Sequence, residues 1–164
     1  MPELNPVVIE RVAWDDERAV RLRAAMDQEM DARYASAWED WDPEAAERAL
    51  TAFTVDPADI SATFLALIDG EPVGHAALRR LHGEWELKRV VTLPSHRGRG
   101  VSKRLITAVE DAARAEGASR LILQTGDRQP EAVRLYEWLG YEPIPIYSPY
   151  EVIPMSLCYA RPLR

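Results

Sequence analysis

Val90-Val91-Thr92-Leu93-Pro94-Ser95-His96-Arg97-Gly98-Arg99-Gly100-Val101-Ser102-Lys103 is the stretch on which the reading of this chain turns. A β-branched run leads into a loop with two glycines. The loop opens a long helical pattern, Arg99–Glu116, with Leu105, Ile106, Val109, Ala112 and Ala113 on one face and Gly117 as its stop. Such a junction is physically an anion site. Glycines let backbone come close to a ligand, and the first N–H groups of a helix point outward without partners. The macrodipole and the side chains of Arg97, Arg99 and Lys103 add positive potential. A pyrophosphate suits these features, but two familiar nucleotide motifs are excluded. The Gly-x-x-x-x-Gly-Lys-Ser/Thr spacing of a triphosphate loop is absent, and no third glycine falls where a dinucleotide fingerprint needs it.

Outward from this junction, the pattern alternates between strands and helices. Before it, Thr63–Ile68 and Val73–Arg80 read as strands joined by the turn Asp69-Gly70-Glu71-Pro72, and Trp85–Thr92 follows the turn His82-Gly83-Glu84. Further upstream lie a strand at Val7–Val12 and a helix over Asp15–Tyr34. An acidic, aromatic loop is expected at Ser36–Pro43, then a helix from Asp42-Pro43 to about Phe53 and a turn at Asp56–Asp59. Downstream come a strand at Leu121–Gln124, a helix at Pro130–Leu139 ended by Gly140, an extended segment at Tyr141–Pro145 and a last strand at Met155–Tyr159. The order predicts a mixed α/β layered domain.

Composition bounds the rest. At 164 residues with 47% apolar, the chain is expected to form one domain over 1–164. With one cysteine, Cys158, no intramolecular disulfide and no multi-cysteine zinc site can form, and three scattered histidines give no metal cluster. No basic and apolar leader pattern and no bilayer-length apolar run occurs, so the expected location is cytoplasmic, with no membrane partner. The net charge of −7 is uneven: residues 1–69 hold 16 acids and 6 bases, whereas 70–128 hold 7 acids and 11 bases. An acidic region beside a small basic one suits a cationic substrate meeting an anionic cofactor; solvated surface charge accounts for it equally well. A nucleic-acid partner, which would use Arg79, Arg80, Lys88, Arg89, Arg97 and Arg99, is disfavoured by the acidic balance and the lack of interleaved aromatics.

Two motifs carry a resemblance. Arg97-Gly98-Arg99-Gly100-Val101-Ser102 resembles the Arg/Gln-x-x-Gly-x-Gly/Ala pyrophosphate loop of the GNAT superfamily of acetyl-CoA-dependent N-acetyltransferases. Glu86–Pro94 is similar to that family's central strand. Gln129-Pro130-Glu131-Ala132-Val133-Arg134-Leu135-Tyr136-Glu137-Trp138-Leu139-Gly140-Tyr141 resembles its second motif, Asn-x-x-Ala-x-x-x-Tyr-x-x-x-Gly-Phe/Tyr. The likeness is carried by motifs over Val73–Tyr141 and by element order alone over Val7–Phe53. Ser102 departs from the usual Gly or Ala, and Gln129 from the usual Asn.

The resemblance implies a GNAT-like fold, α/β with a mostly antiparallel sheet that splays at its central strand. It implies acetyl transfer to a primary amine directly in a ternary complex, with acetyl-CoA as co-substrate and no metal. Val90, Val91, Thr92, Arg97, Gly98, Arg99, Gly100, Val101, Ser102, Gln129 and Tyr136 would bind the cofactor, with a backbone N–H among Val90–Thr92 facing the developing oxyanion. Tyr136 would protonate the departing thiolate; the plainer reading packs its ring on Leu135 and Leu139. Glu86 would be a base for the amine, or else a strand carboxylate paired with Lys88 or Arg89. Trp38, Glu39, Asp40 and Trp41 would line the acceptor site through cation–π and charge pairing, or else the rings pack and the acids are solvated. Tyr147 and Tyr150 would form the far wall. His96 would touch a phosphate or simply sit in the loop, His75 and His82 are expected to be structural or exposed, and Cys158 a buried small hydrophobe. The acceptor is expected to be a small cationic amine or a peptide amine, and family members often form homodimers. The alternative is a non-catalytic acyl-CoA-binding sensor or regulatory domain.

Overall fold

The computed structural model describes residues 5–164. Seven strands, β1 (Val8–Val12), β2 (Ile60–Ile68), β3 (Glu71–Leu81), β4 (Glu84–Thr92), β5 (Arg120–Gly126), β6 (Glu142–Ile144) and β7 (Ser156–Pro162), form one sheet. Four helices, α1 (Glu17–Trp38), α2 (Pro43–Phe53), α3 (Val101–Ala115) and α4 (Pro130–Trp138), accompany it. The sheet order is β1-β2-β3-β4-β5-β7-β6, with every pair antiparallel except β4 and β5. The mixed α/β layering is the one the element order predicts, and the mostly antiparallel sheet is the one the resemblance implies. No helix among the described residues is long and apolar enough to cross a membrane.

Local chemistry explains the elements. The β2–β3 and β3–β4 turns are two-residue hairpins in which both residues have positive φ: Asp69 and Gly70 (52° and 79°), then His82 and Gly83 (48° and 81°). Such turns match the twist of the flanking strands. Asp16 caps α1 and Asp42 caps α2, each accepting from the backbone N–H two residues on. Helix α1 runs to Trp38, so the loop expected at Ser36–Pro43 is shorter than predicted. Ala35, Ser36 and Ala37 carry no breaker, and the acidic-aromatic composition that suggested a loop does not stop a helix.

The sheet buries both faces. Phe64, Ala66 and Ile68 of β2 join Leu78, Leu87, Leu121 and Leu123 under Val101, Leu105, Ile106 and Val109 of α3. Leu65 and Leu67, one step out of phase, meet Ala19 and Leu22 of α1 together with Val91. A third cluster gathers Ala49 and Ala52 of α2 with Tyr150 and Ile153. Burying each large aliphatic side chain contributes roughly 1.5–3 kcal/mol.

Two irregularities in β4 shape the middle of the sheet. Between the pairs His75↔Val91 and Ala77↔Lys88, β3 advances two residues while β4 advances three, and Arg89 in this bulge has φ 54°. On its other edge β4 meets β5 at a single pair, Glu86↔Ile122.

Candidate active site

Beyond Glu86↔Ile122 the strands part. The β5-facing backbone groups of Lys88–Thr92 therefore have no strand partner, and the gap opens toward the loop that starts α3. In that loop Gly98 and Gly100 have φ 79° and 76°, a region that disfavours any side chain, and no atom lies within 4 Å of where a Cβ would stand. Gly100 caps α3 without a side chain. The first intrahelical bond from the loop is Arg104 N–H to Gly100 C=O, so the N–H groups of Val101, Ser102 and Lys103 stay open. Exposed backbone, open donors and the positive end of a helix dipole fit a pyrophosphate. Ser102 turns its Oγ to Thr92 Oγ1 at 2.7 Å, so the departure from Gly or Ala is absorbed by the strand end and not by the loop mouth.

Two of the loop's cations, Arg97 and Lys103, have protein partners. Arg97 donates from Nε to Thr92 C=O at 3.0 Å and from Nη2 to Glu29 at 2.7 Å. Lys103 Nζ lies 4.9 Å from the centre of the Trp138 ring, and Arg99 is exposed. Glu29 belongs to α1, which straps the parted strands. Its Arg33 pairs with Glu29 and Glu131, and its buried Tyr34 hydroxyl accepts from the Arg128 N–H at 3.0 Å. Gly126, ending β5, makes this possible, since a Cβ there would stand 1.9 Å from the Tyr34 hydroxyl. Gln129 reaches the same hydroxyl at a long 3.5 Å.

Tyr136 is 7% exposed and belongs to the buried cluster beneath α3, its ring edge-on to Tyr141 at 5.9 Å. Its hydroxyl makes no hydrogen bond to another described residue. Burial raises its pKa, so the phenol keeps its proton at neutral pH.

The face of the sheet opposite α3 holds a charged cluster. The register Arg79↔Glu86 places these residues side by side, and Arg79 Nε donates to Glu86 Oε1 at 2.7 Å with both side chains buried. Tyr147 donates to the other Glu86 oxygen at 2.6 Å. Glu86 is thus partnered by Arg79 and Tyr147, not by Lys88 or Arg89, and neither oxygen is open for direct contact with an amine. Arg79 Nη2 and Lys88 Nζ both donate to the Tyr150 hydroxyl, at 3.0 and 2.6 Å. Burial pushes the Lys88 pKa down to about 8. Trp38 and Trp41 stack edge-on at 4.3 Å and pack on the cluster of Tyr147 and Tyr150. Glu39 and Asp40 are exposed, and the structure does not bring them to the cluster.

His75 pins the bulge. Since a carbonyl can only accept and a guanidinium only donate, His75 Nδ1–H donates to Arg89 C=O at 2.7 Å and Nε2 accepts from Arg23 at 3.0 Å. Burial and the nearby Arg23 lower its pKa to about 4, and the ring is neutral.

Sequence reasoning placed the glycine loop, Tyr136 and Tyr147 in candidate site roles. It missed Tyr34, which has no local signal, and the Tyr150 hydroxyl as the group that joins Arg79 to Lys88. Part of the signal is local: Glu86 and Lys88 alternate with Leu87 on a strand, so these two charges share one inward face.

The geometry can be set beside known proteins. Residues 23–141 match the model of the acetyltransferase (GNAT) family. An IAA acetyltransferase of Azospirillum brasilense is 37% identical over 90 residues, 55% of this chain and 59% of that protein. The chain spans about half the length of the curated relatives it matches. A crystal structure from Klebsiella pneumoniae described as an acyl-CoA N-acyltransferase superimposes with TM-score 0.75 at 28% identity, covering 96% of this chain and 98% of that one. The PaiA N-acetyltransferase of Thermoplasma acidophilum, solved with coenzyme A, shares the fold at TM-score 0.66 and 14% identity, over 96% and 99% of the two chains. A glycine loop at a helix start, a bulged central strand and its parting from a parallel neighbour thus meet a family model spanning most of the sequence, and the chain belongs to the GNAT acetyltransferase family.

Proposed function

We propose that residues 1–164 act as one N-acetyltransferase domain that moves an acetyl group from acetyl-CoA to a primary amine directly, within a ternary complex. The observation that carries this reading is the parting of β4 from β5 beside the open N-terminus of α3, with an uncommitted phenol at Tyr136. Acetyl-CoA supplies the activated acyl group. The backbone of Gly98–Ser102, with Arg97 and Arg99, holds the pyrophosphate, and Gln129 lies at the start of α4 toward the pantetheine arm.

Leu93 N–H donates to Val73 C=O on the β3 side, so strand alternation turns the N–H of Thr92, within the Val90–Thr92 stretch, toward the strand gap. A donor there stabilises negative charge growing on the carbonyl oxygen in a site shielded from water. As the C–N bond forms and the C–S bond breaks, Tyr136 delivers its proton to the leaving sulfur, and the proton lost from the attacking nitrogen passes through water to restore the phenol. The amine approaches from the opposite face, past Trp38, Trp41 and Tyr147. Glu86, held by Arg79 and Tyr147, enters as a positioning residue for that wall. Donor loop and acceptor wall lie on opposite sides of the same gap, which supports direct transfer with both substrates bound.

The test measures CoA binding by calorimetry and thiol release from acetyl-CoA across a panel of amines. We expect binding and turnover, and Tyr136→Phe, which keeps the ring, should lower kcat by roughly 10²-fold or more where chemistry limits the rate. CoA binding without turnover on any amine would establish a sensor domain in place of the enzyme, and a wild-type kcat in Tyr136→Phe would remove the proton-donor role.

A further inference from the structure

We propose that Lys88, with Tyr150 and Arg79 behind it, forms an oxyanion subsite on the acceptor side of the sheet, so that the acceptor is an amine that also carries a carboxylate or phosphonate. This rests on the acetyl-transfer reading above and names the substrate class of the same site.

The argument begins with charge. Arg79, Glu86 and Lys88 share one face of β3 and β4 and are 4%, 0% and 8% exposed. Glu86 is the one carboxylate hydrogen-bonded within the group, and Arg79 uses it. Lys88 is left with three N–H donors and one hydrogen-bond partner among the described residues, the neutral Tyr150 hydroxyl at 2.6 Å. That hydroxyl already accepts from Arg79. Arg89, in the bulge, is paired with Asp27 on the exposed side, so the excess charge rests on Lys88. The buried cluster therefore carries an excess positive charge at neutral pH. Burying a cation without an anion is expensive, and a bound oxyanion would complete the set.

Position makes the cluster a subsite. Lys88 stands two residues past the last β4–β5 pair, and Gln124 two residues past it on β5, so both flank the mouth of the parting. Gln124 is fixed by its bond to Ser156 Oγ at 3.0 Å. Tyr147, half-buried beside Tyr150 at 5.4 Å between ring centres, closes the other side. An acceptor whose oxyanion meets Lys88 would place its amine near the gap where Val90 and Val91 lie. The subsite would thus select the substrate and orient its amine. The exposed Glu39 and Asp40, which would favour a simple cation, lie outside this cluster.

The test compares matched acceptors on the purified chain: free amino acids against their carboxamides, and aminomethylphosphonate against methylamine, followed by thiol release. We expect kcat/KM to favour the oxyanion-bearing member by roughly 10- to 100-fold, the range of a charge-assisted hydrogen bond. Lys88→Met, similar in length but uncharged, should bring that ratio close to one. Tyr150→Phe, which keeps the packing, should reduce it as well, and serves if Lys88→Met does not fold. Calorimetry of the free amino acid into the CoA-bound protein gives a readout without turnover and should show weaker binding in the variants. Turnover of the carboxylate arm alone, or of the phosphonate arm alone, fixes which oxyanion the subsite takes. Amines turned over without preference, or with preference for the uncharged member, would overturn the subsite and leave acetyl transfer standing. CoA binding with no turnover of any amine would overturn both.

Discussion

Glu86 has no exposed surface, yet it accepts two hydrogen bonds, one from Tyr147 and one that is also its ion pair with Arg79, itself 4% exposed. Removing one member of such a pair leaves the other charge buried alone, which typically costs about 3–5 kcal/mol. Glu86→Ala should therefore lower unfolding free energy by about that amount in a denaturant titration, whereas Glu86→Gln, whose amide oxygen can still accept from Arg79 while its NH2 donates to the Tyr147 oxygen, should lose less. An alanine variant as stable as the wild type would mean that Arg79, whose charge either variant leaves without its carboxylate, has another way to satisfy it. At this scale the sequence was informative about residue types and silent about partners. Glu86, Lys88, Arg79 and Tyr150 were all visible as chemistry, but pairing follows from strand register and from a chain segment that returns 62 to 71 residues later. Neither is written in local composition.

Among the elements, the contact between α1 and the end of β5 depends on a missing side chain. Tyr34 is buried, with its hydroxyl where a Cβ of residue 126 would be, and it holds the Arg128 N–H that leads into α4. Gly126→Ala should push Tyr34 out of place, with a loss of about 1–3 kcal/mol from overpacking. Because α1 also holds Arg97 through Glu29, CoA affinity should fall together with stability. The double variant Gly126→Ala/Tyr34→Phe, which removes the clashing oxygen, should recover part of both. Equal losses in the single and double variants would rule out this steric account. Most elements could be read from periodicity and turn residues. Their ends could not: β7 continues to Pro162 and α1 to Trp38, four residues past its expected stop, because tertiary packing extends what propensity merely permits.

For the whole molecule, the neutral His75 couples stability to pH. In the unfolded chain a histidine takes its proton near pH 6.5; in the folded protein it does so at about 4, held back by burial. The unfolded state therefore binds more protons between these values. Stability is fully present above about pH 6.5 and is lost as pH falls toward 4, by up to about 3 kcal/mol from this group. Urea titrations of the wild type and of His75→Gln across pH 7 to 4 should show a steeper loss for the wild type. Parallel curves would remove His75 from the account. The same scale resolves the uneven charge of the sequence. Acids of the N-terminal part, Asp27 and Glu29, meet bases of the middle part, Arg89 and Arg97, where α1 crosses the sheet.

The single rung between β4 and β5 has a mechanical meaning as well. A sheet resists shear through the number of rungs joining neighbouring strands, and this one has a seam at its centre. Extra rungs there would close the passage between the two faces, so stiffness has to be supplied from outside the ladder. Helix α1 acts as the splint: it is fastened to the β4 side of the seam through Arg89 and Arg97 and to the β5 side through Arg128 and Glu131. Load crossing the molecule is carried by side chains along one helix, while the backbone beneath is left free to admit a substrate.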